Sequence, residues 1–595
     1  MLGFPRTGPA RPADPEVAAA PERQDPDWEV HAGGRRLGEL LVESRLVSPA
    51  EVTSALERMR RGAAQRLGRL LLDSGALSEA DLTAVLARQH RLETVDLRSA
   101  TPDPEALRLI SDATAHRLQA LPLAVEGGTV VTAVADGTPA AADAVRAAMG
   151  RPVAFRLAAQ SELRRAIDTS YRALAGLESQ VQVFEARDAV RRDAGRAESE
   201  AVADEAPVVQ VVQKILTQAL RDRASDVHVE PHEERVRVRY RIDGVLHDVL
   251  DLPGSMGPAL VNRIKIMAGM NIVERRRPQD GQISTAIEER PVDIRVSTVS
   301  VVGGEKVVLR LLDKSRPLFD LGRLGMPDGM AARYRDQLHA PYGMVVCAGP
   351  TGSGKTTTLY GSLGELDSPD RNIMTIEDPV EYTFPSINQI QINEAAGVTF
   401  AGGLRAILRQ DPDVILVGEI RDVDTARIAV QSALTGHFVL SSVHATDTVA
   451  ALHRLIDMGI ETFLVASSVT TVLSQRLVRR VCPYCREGRA PTPQDVAFLR
   501  SVALSENPGE GTFVHGTGCN FCAQTGYLDR VGVYEMLPIT PRIRELVLAS
   551  ASHADIRRAA RSEGMRTLPE EAARLVRAGI TTTAEVLRSV YVTGA

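Results

Sequence analysis

A glycine-rich segment near the middle of the chain constrains the fold more than any other feature of the sequence. It reads Gly-Pro-Thr-Gly-Ser-Gly-Lys-Thr over residues 349–356, and the apolar run 344–348 precedes it. This pattern predicts a buried strand, a loop, and a helix over residues 357–363. In that setting glycines let backbone N–H groups turn toward phosphate oxygens, and the helix N-terminus adds a favourable dipole. We therefore predict a nucleotide phosphate site, and we call residues 349–356 the P-loop.

The side chains of the P-loop are expected to have separate roles. Lys355 should reach the β- and γ-phosphates, and the Thr356 hydroxyl should ligate Mg²⁺. The residues predicted to bind the nucleotide are Gly349, Pro350, Thr351, Gly352, Ser353, Gly354, Lys355, Thr356 and Thr357. A glycine-rich turn that binds nothing is the alternative, and the flanking strand and helix patterns argue against it.

A second apolar strand ends in a carboxylate. The run 414–417 is expected to be buried and to deliver Glu419 at its carboxyl end. In α/β nucleotide sites that end faces the γ-phosphate and Mg²⁺. Glu419 would bind the metal through water or polarise the attacking nucleophile, and the sequence does not separate these roles. A salt-bridged strand end is the structural alternative.

Two further polar clusters lie at predicted strand ends. Segment 375–381 includes Glu377 and Glu381, and it follows the P-loop helix by one strand. Such a run is usually a solvated turn, but this position favours a site. His437 and His444 bracket the apolar strand 438–442, and His444 at the carboxyl end is placed to sense or orient a γ-phosphate.

Four of the five cysteines form two Cys-x-x-Cys pairs, which are typical of a structural zinc module over about residues 480–535. The predicted ligands are Cys482, Cys485, Cys519 and Cys522. Unligated buried cysteines are the alternative. Cys347, in the strand before the P-loop, is expected to serve packing only.

Bulk properties exclude several classes of protein. A chain of 595 residues is too long for a single core. Its net charge of −6 provides no general attraction to nucleic acid, so no nucleic-acid partner is expected. No run approaches the ~18 apolar residues of a membrane span, and no signal peptide is evident. The chain is therefore expected to be cytoplasmic.

An internal repeat follows the N-terminal tail. Arg36-Leu37-Gly38 recurs thirty residues later as Arg66-Leu67-Gly68. Each copy predicts two short amphipathic helices, the second capped by Ser48 or Ser78. Strand 129–135 and helices 140–149 and 160–171 then complete an α/β unit.

Composition and periodicity divide the chain into five parts. A Pro- and Ala-rich tail, 1–34, is expected to be disordered, and a charged flexible linker is expected over 173–204. Between them lies the N-terminal domain, 35–172. A small α+β domain, 205–315, and a P-loop domain, 316–595, follow.

The order of these motifs resembles the secretion ATPase family, which powers type II secretion and type IV pili. The resemblance covers residues 35–595 and implies a RecA-like ATPase domain that hydrolyses ATP with Mg²⁺ and Zn²⁺ bound. It implies catalytic roles for Lys355, Glu377, Glu381, Glu419 and His444. Assembly motors of this family carry the same tetracysteine module.

Residues 205–315 resemble the second N-terminal domain of that family, a PAS-like α+β domain that closes over the nucleotide. The resemblance implies that this domain supplies arginines to the phosphates. Arg241, Arg295 and Arg310 lie in the matching strands. Surface salt bridges are an equally weighted alternative for each of them.

The N-terminal repeat resembles the MshEN domain, whose tandem motifs bind cyclic di-GMP. The residues implied are Arg36, Leu37, Gly38, Arg66, Leu67, Gly68 and Gln89. The first copy departs from the pattern, with Arg45 in place of Gly and Met59 in place of Gln. A purely structural helical repeat is the alternative.

Together these features predict an α/β motor that forms a homohexamer and drives pilus assembly or type II secretion. It would work through an inner-membrane platform protein, at the inner face of the plasma membrane, without a span of its own. A DNA-translocating or conjugative ATPase and a cyclic di-GMP-binding scaffold without turnover are the alternatives. A retraction motor is disfavoured, because the retraction motors it resembles lack the zinc module and the long N-terminal region.

Overall fold

A computed structural model describes residues 36–60, 65–100, 102–174, 177–193, 206–313, 321–502 and 511–590. The chain divides into two compact units after Tyr171. The tail predicted over 1–34 lies outside the described residues. Among the described residues, no helix is both long and apolar enough to cross a bilayer.

The first unit contains eight helices and four strands within its described residues. Its helices are α1 Leu37–Glu43, α2 Pro49–Arg60, α3 Leu67–Asp73, α4 Glu79–His90, α5 Pro104–Leu107, α6 Asp112–Leu118, α7 Pro139–Met149 and α8 Gln160–Ser170. Its strands are β1 Glu93–Thr94, β2 Ala120–Glu126, β3 Thr129–Val134 and β4 Val153–Leu157. The strands form one sheet in the order β1-β4-β3-β2.

The predicted helical repeat is present, and its two copies match in detail. Helices α1 and α3 have seven residues each, and α2 and α4 have twelve. As predicted, Ser48 and Ser78 cap the second helix of each copy, because each Oγ accepts an N–H from the residue three positions later. The apolar faces of the four helices pack on one another around Leu41 and Leu71.

The turn after the first helix of each copy requires a left-handed residue. Gly75 supplies it in the second copy, with φ of +73°, and Arg45 adopts φ of +56° in the first. The turn itself is retained, because both residues donate a backbone N–H over 3.0 Å to the residue three positions earlier. Arg45 therefore does not disrupt the turn, although a side chain is strained there.

The prediction of a flexible linker over 173–204 is wrong for the first half of that stretch. Helix α9, Leu177–Asp193, occupies that stretch, and Leu177 and Phe184 are buried in the core of the following domain. The signal was in the sequence, since Leu177, Val181 and Phe184 recur at helical spacing. Residues 194–205 lie outside the described residues.

The domain after α9 is built on an antiparallel six-stranded sheet in the order β7-β6-β5-β10-β9-β8. Its strands are β5 Asp226–Pro231, β6 Arg235–Ile242, β7 Val245–Pro253, β8 Gln279–Ile287, β9 Arg290–Val301 and β10 Gly304–Asp313. Helices α10 Ala206–Arg221 and α11 Gly257–Met267 cover its apolar face. Alternation along β6 buries Val236, Val238 and Tyr240 on that face and leaves arginines on the other.

The remaining domain surrounds a seven-stranded sheet in the order β13-β12-β14-β15-β11-β16-β19. Its strands are β11 Gly343–Ala348, β12 Ile373–Glu377, β13 Asn388–Gln391, β14 Val414–Val417, β15 Phe438–Val443, β16 Val469–Val481 and β19 Tyr527–Pro538. The first six are parallel, and β19 is antiparallel to β16. The carboxyl ends of β11, β12, β14 and β15 therefore meet at one edge of the sheet, where ligands bind in such folds.

Helices cover both faces of this sheet, and a small hairpin extends from it. The helices are α12 Asp328–Leu338, α13 Lys355–Leu366, α14 Phe400–Ile407, α15 Val423–Leu434, α16 Thr448–Asp457, α17 Thr462–Ser468, α18 Pro493–Ser501, α19 Pro541–Leu548, α20 His553–Ser562, α21 Leu568–Arg577 and α22 Thr583–Ser589. The hairpin pairs β17 Arg486–Gly488 with β18 Val514–Gly516 and lies between β16 and β19.

Candidate active site and metal centre

The P-loop connects β11 to α13, as predicted, although α13 begins at Lys355 rather than at residue 357. Gly352 and Gly354 have φ of +77° and +89°, in the left-handed region where a side chain would be strained. Gly349 allows close packing, because a Cβ there would lie 2.4 Å from Ser353 Oγ. The glycines are thus needed for the loop conformation that turns N–H groups toward a phosphate.

The Lys355 ammonium folds back onto its own loop. Its Nζ donates to the Gly349 carbonyl over 2.9 Å and to the Pro350 carbonyl over 3.2 Å. Burial lowers the pKa of Lys355, and the nearby Glu419 carboxylate opposes that effect. Neutral carbonyls, rather than an ion pair, therefore hold the Lys355 cation where a phosphate would bind.

Glu419 and His444 meet at the carboxyl edge of the sheet. Glu419 follows β14 and His444 follows β15, and these strands are neighbours. The His444 Nε2 lies 3.5 Å from Glu419 Oε2, and Arg421 binds the other carboxylate oxygen over 2.5 Å. Two of the predicted groups thus come together beside the P-loop, although they are far apart in sequence.

His437 lies elsewhere. It stands at the amino end of β15, so the strand separates it from His444. Its Nδ1 lies 3.1 Å from the Ser432 carbonyl, at the end of α15. This histidine caps a helix and is not part of the cluster at the carboxyl edge.

Glu377 is buried at the end of β12 and accepts three hydrogen bonds. Its donors are the Thr375 hydroxyl at 2.5 Å, Gln389 Nε2 at 3.2 Å and the Tyr360 hydroxyl. The same Tyr360 oxygen accepts the Glu381 N–H over 3.2 Å. Tyr360, on α13, thus links the P-loop helix to the Glu377 carboxylate and to the Glu381 backbone. The sequence analysis did not single out this residue.

The Glu381 carboxyl faces the small α+β domain. Burial raises its pKa, the cations Arg295 and Arg310 oppose that effect, and Glu377 adds to it. Arg295 and Arg310, two of the three predicted arginines, therefore lower the pKa of the Glu381 carboxyl, which follows the P-loop helix by one strand.

The three arginines lie in one row across the six-stranded sheet. Asp226 is the register partner of Arg241 on one side and of Arg310 on the other, and Arg310 is the partner of Arg295. Arg310 Nε lies 3.0 Å from Asp226 Oδ1, and Arg241 Nε lies 3.5 Å from Oδ2. Sequence reasoning missed Asp226, because strand register is not visible in a local motif. We call these four residues the arginine row.

Arg295 differs from the other two arginines. Its NH2 group is buried and meets no hydrogen-bond acceptor within the described part of the chain. A buried guanidinium nitrogen without an acceptor carries a large desolvation cost. An anion bound beside the arginine row would supply the missing acceptor.

The four predicted zinc ligands form one cluster between β16 and β19. Their sulfur atoms all lie within 4.8 Å of one another. The Sγ–Sγ distances are 3.8 Å for Cys482–Cys519 and for Cys485–Cys522, and 3.7 Å for Cys519–Cys522. Tetrahedral Zn²⁺ with Zn–S of ~2.3 Å requires edges of about 3.8 Å, so the cluster is compatible with zinc.

The surroundings of the cluster also suit thiolate ligands. The Cys519 and Gly526 N–H groups each lie 3.3 Å from Cys522 Sγ. Hydrogen bonds from the Cys482 thiol and from these backbone groups hold the pKa of Cys522 well below its usual range. Gly518 and Gly526 flank the second cysteine pair and have positive φ, so the tight turns on either side of that pair favour glycine. Cys347 is buried in β11, consistent with the packing role predicted for it.

The residues predicted for cyclic di-GMP take equivalent places in the two repeat copies. Arg36 and Arg66 are exposed, Leu37 and Leu67 are half-buried, and Gly38 and Gly68 are buried. Arg66 pairs with Asp136 over 3.0 Å. At the end of the second helix the copies differ, since Met59 packs against the apolar cluster where the second copy has the polar Gln89.

Comparison with protein families gives two matches. The family described as Type II/IV secretion system protein matches residues 201–588. The MshEN domain matches residues 90–177, which leaves the helical repeat outside the match. The two matches fall on opposite sides of residues 178–200.

Individual relatives extend this similarity. Type II secretion system protein HxcR of Pseudomonas aeruginosa is 49% identical over 385 residues, which cover 65% of this chain and 78% of the relative. Type IV pilus assembly ATPase PilB of Myxococcus xanthus is 39% identical over 560 residues, covering 93% and 98%. Among solved structures, the ATPase DotB of Legionella pneumophila aligns over 63% of this chain and 94% of its own, with 21% identity and a TM-score of 0.48.

Proposed function

Since this chain belongs to the Type II/IV secretion system protein family, we propose that its ATP hydrolysis drives type IV pilus assembly or type II secretion as a homohexamer. The enzyme is an ATPase, and membership of the family implies ATP as substrate and Mg²⁺ as its metal. A relative that matches over nearly the whole length of both chains is a pilus assembly ATPase, which favours the pilus system.

The observation that carries the proposal is the convergence of Glu419 and His444 beside the P-loop. The backbone amides of 349–354 would bind the phosphates, with the side chains from Lys355 to Thr357 at the helix N-terminus. Thr356 would ligate Mg²⁺, which would neutralise phosphate charge. Glu419, oriented by Arg421 and His444, would then activate or align the attacking water.

Glu377 and Glu381 would support the site rather than contact the phosphates. Three donors already hold the Glu377 carboxylate, and one of them, Tyr360, stands on the P-loop helix. A shift of that helix on nucleotide binding would therefore reach Glu377 and the Glu381 backbone together. We assign these residues the role of reporting the state of the P-loop to the small domain.

The arginine row would close over the nucleotide. Asp226 holds Arg310 and Arg241 in place, while Arg295 keeps a buried donor available. An arginine delivered to a phosphoryl-transfer transition state accelerates it by roughly 10³–10⁵. Arg295 is the member of the row that we assign to this role.

The cysteine cluster would bind structural zinc. All four sulfur atoms point to one centre, so no open coordination position remains for catalysis. The centre would fix the hairpin between β16 and β19. We place the protein at the cytoplasmic face of the inner membrane, where a platform protein would receive the work of the motor.

Cyclic di-GMP would bind the helical repeat through Arg36 and Arg66, with the buried Gly38 and Gly68 allowing close backbone approach. The equivalent burial of these residues in both copies supports this assignment. Met59 offers no polar group where Gln89 does, so the first copy would bind more weakly. Leu37 and Leu67 would pack beside the bases.

The test is sedimentation and ATP turnover of the purified chain with Mg²⁺, with and without cyclic di-GMP. We expect a six-subunit assembly that hydrolyses ATP, and a change in turnover with the dinucleotide that Arg66→Ala removes. A monomer without turnover in the presence of its membrane partner would contradict the motor. Turnover that depends on added DNA would instead assign the chain to DNA translocation.

A further inference from the structure

Strand β16 carries two adjacent side chains that bind different loops of the nucleotide site. Gln475 is buried, and its Nε2 donates to the Ser353 carbonyl of the P-loop over 2.8 Å. Arg476 follows it and donates from NH2 to the Thr446 carbonyl over 2.7 Å. Thr446 belongs to residues 444–447, which we call the His444 loop. Because successive side chains of a strand point to opposite faces, one strand can hold both loops.

The P-loop backbone packs directly on Gln475. A Cβ on Gly349 would lie 2.8 Å from the Gln475 carbonyl oxygen, and a Cβ on Gly354 would lie 3.1 Å from Gln475 Nε2. The opposing side-chain oxygen of Gln475 is buried and meets no donor among the residues that the structure describes. A buried amide oxygen without a donor is destabilising, and the fold accepts that cost at the residue that holds the P-loop.

Arg476 is anchored by backbone alone. Besides Thr446, its guanidinium donates to the Gln475 carbonyl over 3.0 Å, and within the described ranges no carboxylate lies at ion-pair distance. Burial lowers the pKa of Arg476, against the more distant Glu535 and Asp447. The positive charge of Arg476 also lowers the pKa of Lys355. A half-buried cation without an ion pair thus stands between the P-loop lysine and the His444 loop.

We propose that Gln475 and Arg476 are positioning residues for ATP hydrolysis, in which Gln475 holds the P-loop through Ser353 and Arg476 holds the His444 loop through Thr446. The inference rests on nucleotide binding at the P-loop. It assigns the alignment of two loops, which come from different parts of the sequence, to one rigid strand of the sheet. The hydrogen bond from Gln475 to Ser353 affects nucleotide affinity, and the hydrogen bond from Arg476 to Thr446 affects turnover.

Two variants separate these effects. Gln475→Met keeps the side-chain volume and removes the donor, so the dissociation constant for Mg–ATP should rise by about fivefold, as expected for one lost hydrogen bond. Arg476→Met removes a charge-assisted hydrogen bond, so turnover per bound nucleotide should fall by about tenfold or more. Arg476→Lys should restore part of that loss.

The matched control is Arg480→Met, on the same strand but exposed and beyond both loops. This variant should change neither the dissociation constant for Mg–ATP nor the turnover per bound nucleotide. Equilibrium binding of a fluorescent ATP analogue gives the affinity and the number of sites per chain, and steady-state kinetics on the same samples gives kcat. A merely structural role would reduce the number of sites while leaving affinity and turnover per site unchanged.

Hydrogen exchange provides a readout that needs no turnover. The peptide that contains the His444 loop should exchange faster in Arg476→Met than in the wild type or in Arg480→Met. The proposal is overturned if Gln475→Met binds nucleotide within twofold of the wild type, or if Arg476→Met leaves exchange and turnover per site unchanged. A wild-type chain that binds ATP without hydrolysing it would contradict the proposed function, while binding and exchange would still decide on the two residues.

Discussion

Single charged groups in this protein are held by specific contacts that sequence patterns alone do not reveal. Lys355 is held by two carbonyls of its own loop, and Glu419 by an arginine and a histidine from two different segments. The sequence motifs identified Lys355, Glu419 and His444 as candidates, but not the contact between Glu419 and His444. That contact depends on strand order, because neighbouring parallel strands bring their carboxyl ends to one edge of the sheet.

His116 in the N-terminal unit allows a test at this scale. Its imidazole lies between two carboxylates, with Nδ1 3.0 Å from Asp112 Oδ1 and Nε2 2.8 Å from Asp168 Oδ1. Asp112, and then Asp168, raise the pKa of His116 from 6.5 to about 10. A raised pKa stabilises the folded state fully below the unfolded value and loses that effect as pH rises through the folded value.

We therefore predict that Asp168→Asn lowers the stability of this unit by about 1 kcal/mol at pH 6, the value of a partly exposed ion pair. The difference from the wild type should disappear between pH 9 and 11. Urea pulse proteolysis of the N-terminal unit at pH 6 and at pH 11 measures this difference in stability. A difference that persists unchanged at pH 11 would show that the contact acts by packing and not by charge.

At the scale of elements, the sequence predicted what short-range patterns determine. The strands 414–417 and 438–442, the P-loop and the serine-capped helices follow from apolar runs, glycines and caps, and the structure contains them. The arginine row was not predictable in full, since Asp226 joins it through strand register. Helix α9 was missed because charged residues hid its short apolar stripe.

The turns of the helical repeat give a matched pair of substitutions. Arg45 and Gly75 occupy the same left-handed turn position in the two copies. Arg45→Gly should stabilise the N-terminal unit by about 1 kcal/mol, and Gly75→Ala should destabilise it by about the same amount, because only glycine adopts this conformation without strain. Urea unfolding of both variants checks this, and equal signs for the two would contradict the shared turn.

At the scale of the whole molecule, the chain joins a sheet that would bind nucleotide to a cysteine cluster in the segment between two of its strands, β16 and β19. Strand β16 pairs with the P-loop strand β11 at one end and leads into Cys482 at the other. Zinc at this cluster would therefore stabilise the ATPase domain itself and not only the hairpin. Apparent binding energies of structural zinc, ~10–16 kcal/mol in small sites, are large enough for this.

Cys482→Ser is predicted to remove about one zinc per chain and to lower the thermal stability of the ATPase domain by several degrees, because one thiolate is lost from a closed tetrahedral site. Metal analysis and calorimetry measure the two effects. Cys347→Ala, at a buried cysteine outside the cluster, is the control and should keep its zinc. Equal zinc content in both variants would refute the site.

We propose that this chain hydrolyses ATP at the carboxyl edge of the seven-stranded sheet. The most direct test measures Mg–ATP binding and turnover on the same samples of wild type, Glu419→Gln and Lys355→Ala. We expect Glu419→Gln to bind ATP but to lose turnover by about 10²-fold or more, and Lys355→Ala to lose binding while remaining folded. Wild-type turnover in Glu419→Gln would contradict it.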